Sequence, residues 1–464
     1  MVTVRRGSGQ VVIAGCGIAG MLAAAAVAPS AHRIILVERD RLPDEPVPRK
    51  GVPQGRHVHA LLSTGARAIE ELLPGTLAAL ERAGAQHIAL PGDVLLYGPH
   101  GWMPRYPPRQ YIIGCTRPLL EQVIRHQLLH THPSIRILQQ AEVTGLRGDT
   151  HRITGVRLRH RGNALQQSLP ADLTIVATGR SGRTAHWLAE LGLEPVPQTV
   201  VDSGLAYATR LVEAPPEKAR AFPFVNIQAQ PGTGRPGRAG FLLLLEQNQW
   251  IVTLSGTRGA EPPIDEEGFL RFAASLRHPL LSDLLQDTTP LTRITGFRNT
   301  ANVRHRYDQL PRWPDRLLLT GDTVTCLNPI YAHGMSVAAL SALALRDGLT
   351  TIRAHPHSDR RIQQTISRAS RLPWRISTTS DIRYPNAQGP RPAPGMRLTY
   401  RLMDRFLASA ATSPAVATAF VDAFALATPP IRLARPSVIY ATLRGPRHPP
   451  LTTPPPPARA QGTT

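Results

Sequence analysis

The feature that most constrains this chain is a run of glycines at fixed spacing near its start, Gly15-Cys16-Gly17-Ile18-Ala19-Gly20. A short apolar run precedes it at residues 11–14. A helix-prone stretch follows at 21–28, and a second buried strand is expected at 34–37. This reads as a strand–turn–helix–strand unit whose turn is GxGxxG. The first glycine permits the tight turn. The second lets a pyrophosphate approach the backbone, and the third lets the helix pack closely on the strand. The helix N-terminus presents unpaired N–H groups and a partial positive charge to the phosphates. Glu38 stands eighteen residues after Gly20, at the end of the second strand. A carboxylate there accepts hydrogen bonds from both hydroxyls of an adenosine ribose and repels a 2′-phosphate, which disfavours NADP at this site. Arg39 follows it directly, beside the same strand end.

The same region also has the outline of a secretory leader, with Arg5 and Arg6 before an apolar run from 11 to 28. Glycines at fixed spacing and a second strand serve no leader, so a folded N-terminus is expected. No other apolar stretch approaches the ~20 residues that span a bilayer. Cys16, Cys115 and Cys326 lie far apart and form no disulfide framework. No cysteine or histidine cluster suggests a metal, and a reducing, cytoplasmic setting is expected.

Along the rest of the chain, residues 41–57 read as a Pro- and Arg-rich loop, and helices are expected at 64–73 and 118–130. Strands are expected at 135–138, 152–159 and 172–177. From about 195 to 300 strand-like runs at 204–212, 224–228, 240–245 and 250–255 alternate with Pro/Gly turns, the pattern of a mostly antiparallel sheet. Residues 316–321 form one more buried strand, ending in Asp322, and a helix is expected at 336–345. Residues 355–446 are mostly helical and arginine-rich. The last 18 residues, 447–464, are Pro-rich and expected to be disordered.

Asp322 sits at a strand's carboxyl end, where α/β sheets bind ligands. It opens T-G-D-T-V-T-C-L-N-P-I-Y-A-H-G-M-S, in which Asn328-Pro329 forces an extended or turned backbone and Gly334 opens the helix. GxGxxG with its glutamate, joined some 300 residues later by G-D-x(5)-N-P-x(4)-G-M, resembles the FAD-dependent monooxygenases of the aromatic-hydroxylase fold. That resemblance implies that Asp322 hydrogen-bonds the ribityl chain and that Pro329, Gly334 and Met335 back the isoalloxazine ring. It also implies that Arg117 opens a helix beside the flavin and that Val143, in A-E-V, lies on the strand touching adenine. R-K-G-V-P-Q-G-R-H-V-H-A-L-L (49–62), G-W-M-P-R-Y-P (101–107), V-D-S-G-L-A-Y-A-T-R-L (201–211) and W-I-V-T-L-S-G-T-R-G (250–259) are similar to the flavin epoxidases of polyether ionophore biosynthesis, of the lasalocid and monensin type. The likeness spans roughly residues 10–350. Two departures stand out. Thr178-Gly179 replaces the Asp-Gly of the hydroxylases, a segment tied to NAD(P)H use, and Ala332 replaces a glycine of the polyether enzymes.

The expected fold is therefore α/β: a Rossmann-like FAD-binding domain, a mostly antiparallel substrate sheet and a C-terminal helical region. In chain order these are 1–85 (FAD-binding, first part), 86–185 (mixed FAD-binding and substrate-sheet segments), 186–300 (substrate sheet), 301–350 (FAD-binding, second part), 351–446 (helical region) and 447–464 (tail). The resemblance implies epoxidation of C=C bonds in a linear, apolar polyene polyketide through a flavin C4a-hydroperoxide and O₂. The cofactor carries the difficult step, while the protein excludes water and orients the alkene. Reduction is by NAD(P)H directly or through a separate flavin reductase. The alternative is hydroxylation of an aromatic secondary metabolite, which gains from a base that ionises the phenol.

Tyr331 and His333 are the candidate catalytic residues, in the loop expected to face the ring, although His333 equally suits a helix cap. Trp102, Tyr106, Tyr207, Phe224 and Phe241 are the candidate substrate contacts, though core strands use aromatics as readily. In the loop after Glu38, Arg49 is the expected flavin or phosphate contact, and Arg56, His57 and His59 are read as solvated. No Trp-x-Trp pair occurs, against a halogenase, and a prenyl-chain reductase remains a weaker alternative.

The chain carries 53 basic and 32 acidic residues, a net charge of +21, and only Lys50 and Lys218 of the basic residues are lysine. Such charge invites a nucleic-acid reading. Sixteen arginines against four aspartates fall within residues 351–464, for a local +12, beyond the motifs. The charge there reads as arginine enrichment on a flavoenzyme, or as a face for an acidic partner such as an acyl carrier protein, and not as a nucleic-acid site.

Overall fold

A computed structural model describes residues 9–162, 166–180, 182–351, 358–390, 392–428 and 430–456. The glycine motif nucleates a five-stranded, all-parallel sheet. Its order is Leu317–Leu319, Leu173–Val176, Gln10–Ala14, Arg33–Val37, Ile135–Leu138. The strands are nearly continuous apolar runs because both faces are covered, as parallel sheets require. Val11, Ile13, Ile34 and Leu36 face the helices Ile18–Val27, Arg117–Thr131 and Gly334–Thr351. Val12, Ala14, Ile35 and Val37 face the three-stranded sheet of residues 141–170 and Trp187 of the Thr184–Glu190 helix. The run that has the outline of a leader forms the central strand and the first helix.

An eight-stranded sheet lies in the second region. Its main path runs Thr289–Pro290, Ala206–Glu213, Gln249–Gly256, Arg238–Leu244, Phe224–Ile227, Val94–Gly98, Gly101–Trp102, and Thr295–Phe297 pairs alongside Ala206–Glu213. All these pairings are antiparallel except Phe224–Ile227 with Val94–Gly98. Residues from before position 103 thus complete a sheet whose other strands begin at 206. Alternation along each strand gives it two faces. Val225, Ile227, Leu242 and Val252 pack on Phe269 and Phe272 of the Glu266–Ala274 helix. Phe224, Phe241, Leu243 and Ile251 face the opposite way, toward Ile112, Ala332 and Val421.

Expected helices and strands lie where the patterns put them, with ends displaced by a few residues. The helix after the Asp322 segment is longer, Gly334–Thr351. The C-terminal region forms the helices Ser358–Ala369, Arg371–Asp381, Met396–Ala410, Pro414–Phe424 and Pro436–Arg444. The expectation of a disordered tail needs correction over its described part. The Leu451 carbonyl accepts a 3.1 Å bond from the Trp102 amide, so residues 447–456 close over the short edge strand Gly101–Trp102. Residues 457–464 lie outside the described residues.

Candidate active site

The glycine turn has the geometry its spacing predicts. Gly15 has φ +104°, and a Cβ there would stand 2.5 Å from the Ala177 carbonyl oxygen. A Cβ on Gly20 would stand 2.0 Å from the Gly15 carbonyl oxygen, so the third glycine is where helix meets strand. A Cβ on Gly17, by contrast, would find only Arg49 Nη2, at 3.8 Å. The backbone at the N-terminus of the Ile18–Val27 helix is thus open on the side that Arg49 flanks.

Glu38 closes the neighbouring strand end. Its Oε2 accepts from the Cys16 amide at 3.0 Å, and its Oε1 accepts from the Asp40 amide at 3.0 Å. The Ala141 amide donates to the Glu38 carbonyl at 3.0 Å, which brings the strand bearing Val143 alongside. Arg49 is nearly buried and pairs with Glu38 (3.3 Å), Asp40 (3.6 Å) and Glu121 (3.0 Å). Glu121 also accepts from Arg117 at 2.8 Å. Burial alone would raise the Glu121 carboxyl, but the Arg117 and Arg49 guanidiniums hold it below its ordinary value. Glu121 thus ties together the two arginines expected at the cofactor, a role that no motif marks. Arg39 lies over Gly51 at the outer edge of this cluster.

The Asp322 turn is pressed onto the same cradle. Gly321, at φ +62°, would place a Cβ 2.6 Å from the Ala19 Cβ, and the Gly179 amide donates to Thr323 Oγ1 at 3.1 Å. No hydrogen bond reaches the Asp322 carboxylate among the described residues. Burial raises its pKa, while Arg180 and Arg117 oppose the rise. A half-buried carboxylate that accepts no hydrogen bond from any described residue, an open glycine backbone and flanking arginines fit a flavin dinucleotide. Gly334 meets nothing within 4 Å of an added Cβ, and Met335 packs into the core behind it.

Tyr331 and His333 take protein partners and are not presented to the cavity described below. Tyr331 donates its hydroxyl to Asp381 Oδ1 at 2.8 Å. Asp381 Oδ2 accepts from Asn302 Nδ2 at 2.7 Å and Asn328 Nδ2 at 2.8 Å. Burial pushes the Asp381 carboxyl up to about 6 despite these three donors. His333 is fully buried, and its Nε2 lies 2.9 Å from the Phe424 carbonyl oxygen, to which it donates. Its Nδ1 is buried without a partner, and burial pushes its pKa down to about 4, so the ring is neutral. These side chains tether the 328–334 loop to the C-terminal helices. The His333 side chain does not cap the helix it precedes.

Against this loop lies an apolar cavity. Pro329, Ile330 and Ala332 form one wall, and Tyr207, Phe224 and Phe241 belong to the sheet wall. Trp102 and Tyr106 do not line it. Trp102 points to the opposite face of the sheet, where its ring packs on Tyr97 and His278 at 5.0 and 4.8 Å. Tyr106 lies half-buried in the loop beyond it. The sequence reading missed Phe420, Val421 and Phe424, which close the cavity from the Pro414–Phe424 helix. Their spacing is helical, but nothing local says which surface they cover. His57 and His59 are not solvated either. His57 is buried with Nδ1 2.8 Å from Thr209 Oγ1, and His59 Nδ1 bonds the His57 carbonyl at 2.8 Å.

A parallel sheet ending in two ligand turns, with a second sheet roofing a cavity beside them, defines a nucleotide-cofactor enzyme of the flavoprotein class. The chain belongs to the FAD binding domain family, which it matches over residues 8–378, and is an enzyme of the FAD-dependent monooxygenase family. It is 26% identical over 435 residues to Protein Rv3254 of Mycobacterium tuberculosis (strain ATCC 25618 / H37Rv), covering 89% of each chain. It is 25% identical over 387 residues to kynurenine 3-monooxygenase of Salinispora arenicola (strain CNS-205), covering 78% of this chain and 76% of that one. The fold is shared with the flavin-dependent brominase Bmp2, at a TM-score of 0.63 and 12% identity, over 89% of this chain and 92% of that one.

Proposed function

We propose that the protein is a flavin-dependent epoxidase acting on C=C bonds of an extended, largely apolar substrate such as a linear polyene polyketide. One observation carries this reading. Among the described residues lining the cavity, none is Asp, Glu, His, Cys, Lys or Arg, and the only titratable group is Tyr207. Burial and then the Asp381 charge push the Tyr207 phenol well above its ordinary value. Hydroxylation of a phenol gains from a base that ionises the ring, whereas an electron-rich alkene needs none. The alternative, an aromatic hydroxylase, finds no base here.

FAD, once reduced by NAD(P)H or by a separate flavin reductase, supplies an activated oxygen derived from O₂. The chain's own residues bind, orient and exclude water. Gly15, Gly17 and Gly20 open the backbone to the pyrophosphate, Glu38 meets the adenosine ribose, and Asp322 meets the ribityl chain. Arg39, Arg49, Arg117 and Val143 flank the dinucleotide, while Pro329, Gly334 and Met335 form the segment behind the ring. Leu62, Leu96, Ile112, Phe224, Phe241 and Phe424 hold the alkene in an apolar cavity.

The test supplies the FAD-loaded protein with a flavin reductase, ¹⁸O₂ and, separately, a linear polyene and a simple phenol. Mass spectrometry is expected to find one ¹⁸O in an epoxide of the polyene and none in the phenol. Labelled catechol with unreacted polyene would establish the hydroxylase instead.

A further inference from the structure

The cavity is not uniformly apolar. Along the strand Phe224–Ile227, Val225 and Ile227 point to the helix-covered face, while Phe224 and Asn226 point to the cavity, and Gln228 continues the cavity side. Asn226 stands in the middle of this wall. Its sheet neighbours are Phe241 on one side and Leu96 on the other, and both line the cavity. Asn226 Oδ1 is buried without a hydrogen-bond partner. No hydrogen bond joins the side chains of Asn226 or Gln228 to any other described residue. Leucine matches asparagine closely in size and would suit a wall of Phe, Leu and Val, whereas an unpaired buried amide costs free energy. An amide kept in such a wall gains only when a ligand pairs with it.

We propose that Asn226, with Gln228 two residues further along the same face, is a specificity determinant whose side-chain amide pairs with a polar group on the substrate. The substrate is then amphiphilic: an apolar unsaturated chain carrying a hydroxyl or amide group. The group is neutral, because among the described residues neither a cation nor a carboxylate lines the cavity and a charged group of either sign would be buried uncompensated. The loop wall at residues 329–332 and the Asn226 wall are separate sides of one cavity, so the polar group fixes which double bond reaches the loop. A site that hydrogen-bonds a substrate hydroxyl rejects the analogue lacking it far more strongly than an apolar pocket rejects a missing methylene. The inference rests on the proposed function for its account of the reacting end, but binding alone tests it.

Farnesol and its deoxy hydrocarbon analogue share a chain, but only the alcohol has a hydroxyl to pair with the amide. Their affinities for the FAD-loaded protein are measured by equilibrium dialysis, without turnover. The wild type is expected to favour the alcohol by about tenfold or more, and Asn226→Leu to bring the two within about twofold. Equal binding of both by the wild type overturns the proposal, even if the variant does not fold. So does a preference that survives in a folded Asn226→Leu protein, or failure of both ligands to bind. The flavin reading is read separately from the yellow absorbance of the dialysed protein, so loss of one does not obscure the other.

Discussion

Asp381 concentrates most of the site's order in one carboxylate. Two oxygens receive three donors from two segments: Asn302 in a strand, and Asn328 and Tyr331 in the loop beside the cavity. Asp381→Leu removes the acceptor of all three donors, leaving Asn302 Nδ2 only its 3.3 Å bond to the Val201 carbonyl, at about 1–3 kcal/mol for each buried donor left unpaired. Asp381→Asn keeps an oxygen for the two asparagines and offers N–H to the Tyr331 oxygen. The expected result is that the Leu variant loses several kcal/mol of thermal stability and releases FAD on dialysis, while the Asn variant keeps most of both. Equal loss in the two variants would show that the hydrogen bonds do not hold the loop. The pH dependence has a definite sign. Burial lifts this carboxyl from 3.8 in the unfolded chain to about 6, so the folded state binds the extra proton. Stability contributed by the protonated group is therefore present at low pH and falls as pH rises through that window, by on the order of 3 kcal/mol. The melting temperature of wild type relative to Asp381→Asn is expected to decline between about pH 4 and pH 7. A flat difference would mean that Asp381 titrates normally. Ala332, in the same loop, adopts φ +55° and ψ +18°, a left-handed conformation that costs a non-glycine residue about 1–2 kcal/mol. The tethers at Tyr331 and His333 hold it there, and its methyl becomes part of the cavity wall.

At the scale of elements, the C-terminal helices complete the site. The Pro414–Phe424 helix sends Phe420, Val421 and Phe424 into the cavity, and its Phe424 carbonyl receives the His333 ring. Asp422 on the same helix accepts from Gln110 at 2.7 Å, which fixes the helix against the Gln110–Gly114 strand. Phe420→Ala with Phe424→Ala is expected to admit water, so that more of the oxygen consumed appears as hydrogen peroxide and less as product. Both rings are half-buried, so each truncation should cost about 1–2 kcal/mol, less than the ~3–5 of a fully buried phenylalanine. Unchanged coupling, read by a peroxide assay beside product yield, would mean that this helix does not seal the cavity. The strand–turn–helix unit, the sheet strands and most helices were legible in the sequence because hydrophobic period and glycine spacing are local. The closing helix was not. An amphipathic stretch announces a buried face, but its covering partner lies some 90 to 300 residues away in the chain. Trp102 failed for a related reason: a two-residue strand does not declare which of its faces meets the cavity.

Across the whole molecule, two sheets divide the labour. The parallel sheet carries the cofactor turns at the carboxyl ends of its strands, and the larger sheet supplies a wall and a roof. Arginine in excess lies largely beyond the motifs. Arg397, Arg401, Arg444 and Arg447 are exposed on or beside the last helices, whereas Arg49 and Arg117 are drawn into carboxylate pairs at the cradle. Among the described residues no single helix is long and apolar enough to cross a membrane. The sequence by itself determined the cofactor cradle, the order of the main segments and the family, because these depend on short-range spacing: Gly15 and Gly20, which no Cβ could replace, a glutamate at a strand end, an aspartate after another. The tertiary structure alone decided the character of the cavity. Its lack of a base, the orphaned amide of Asn226 and the clasp of Asp381 depend on which faces of distant elements meet. Burial then sets what each polar group costs and what it can bond.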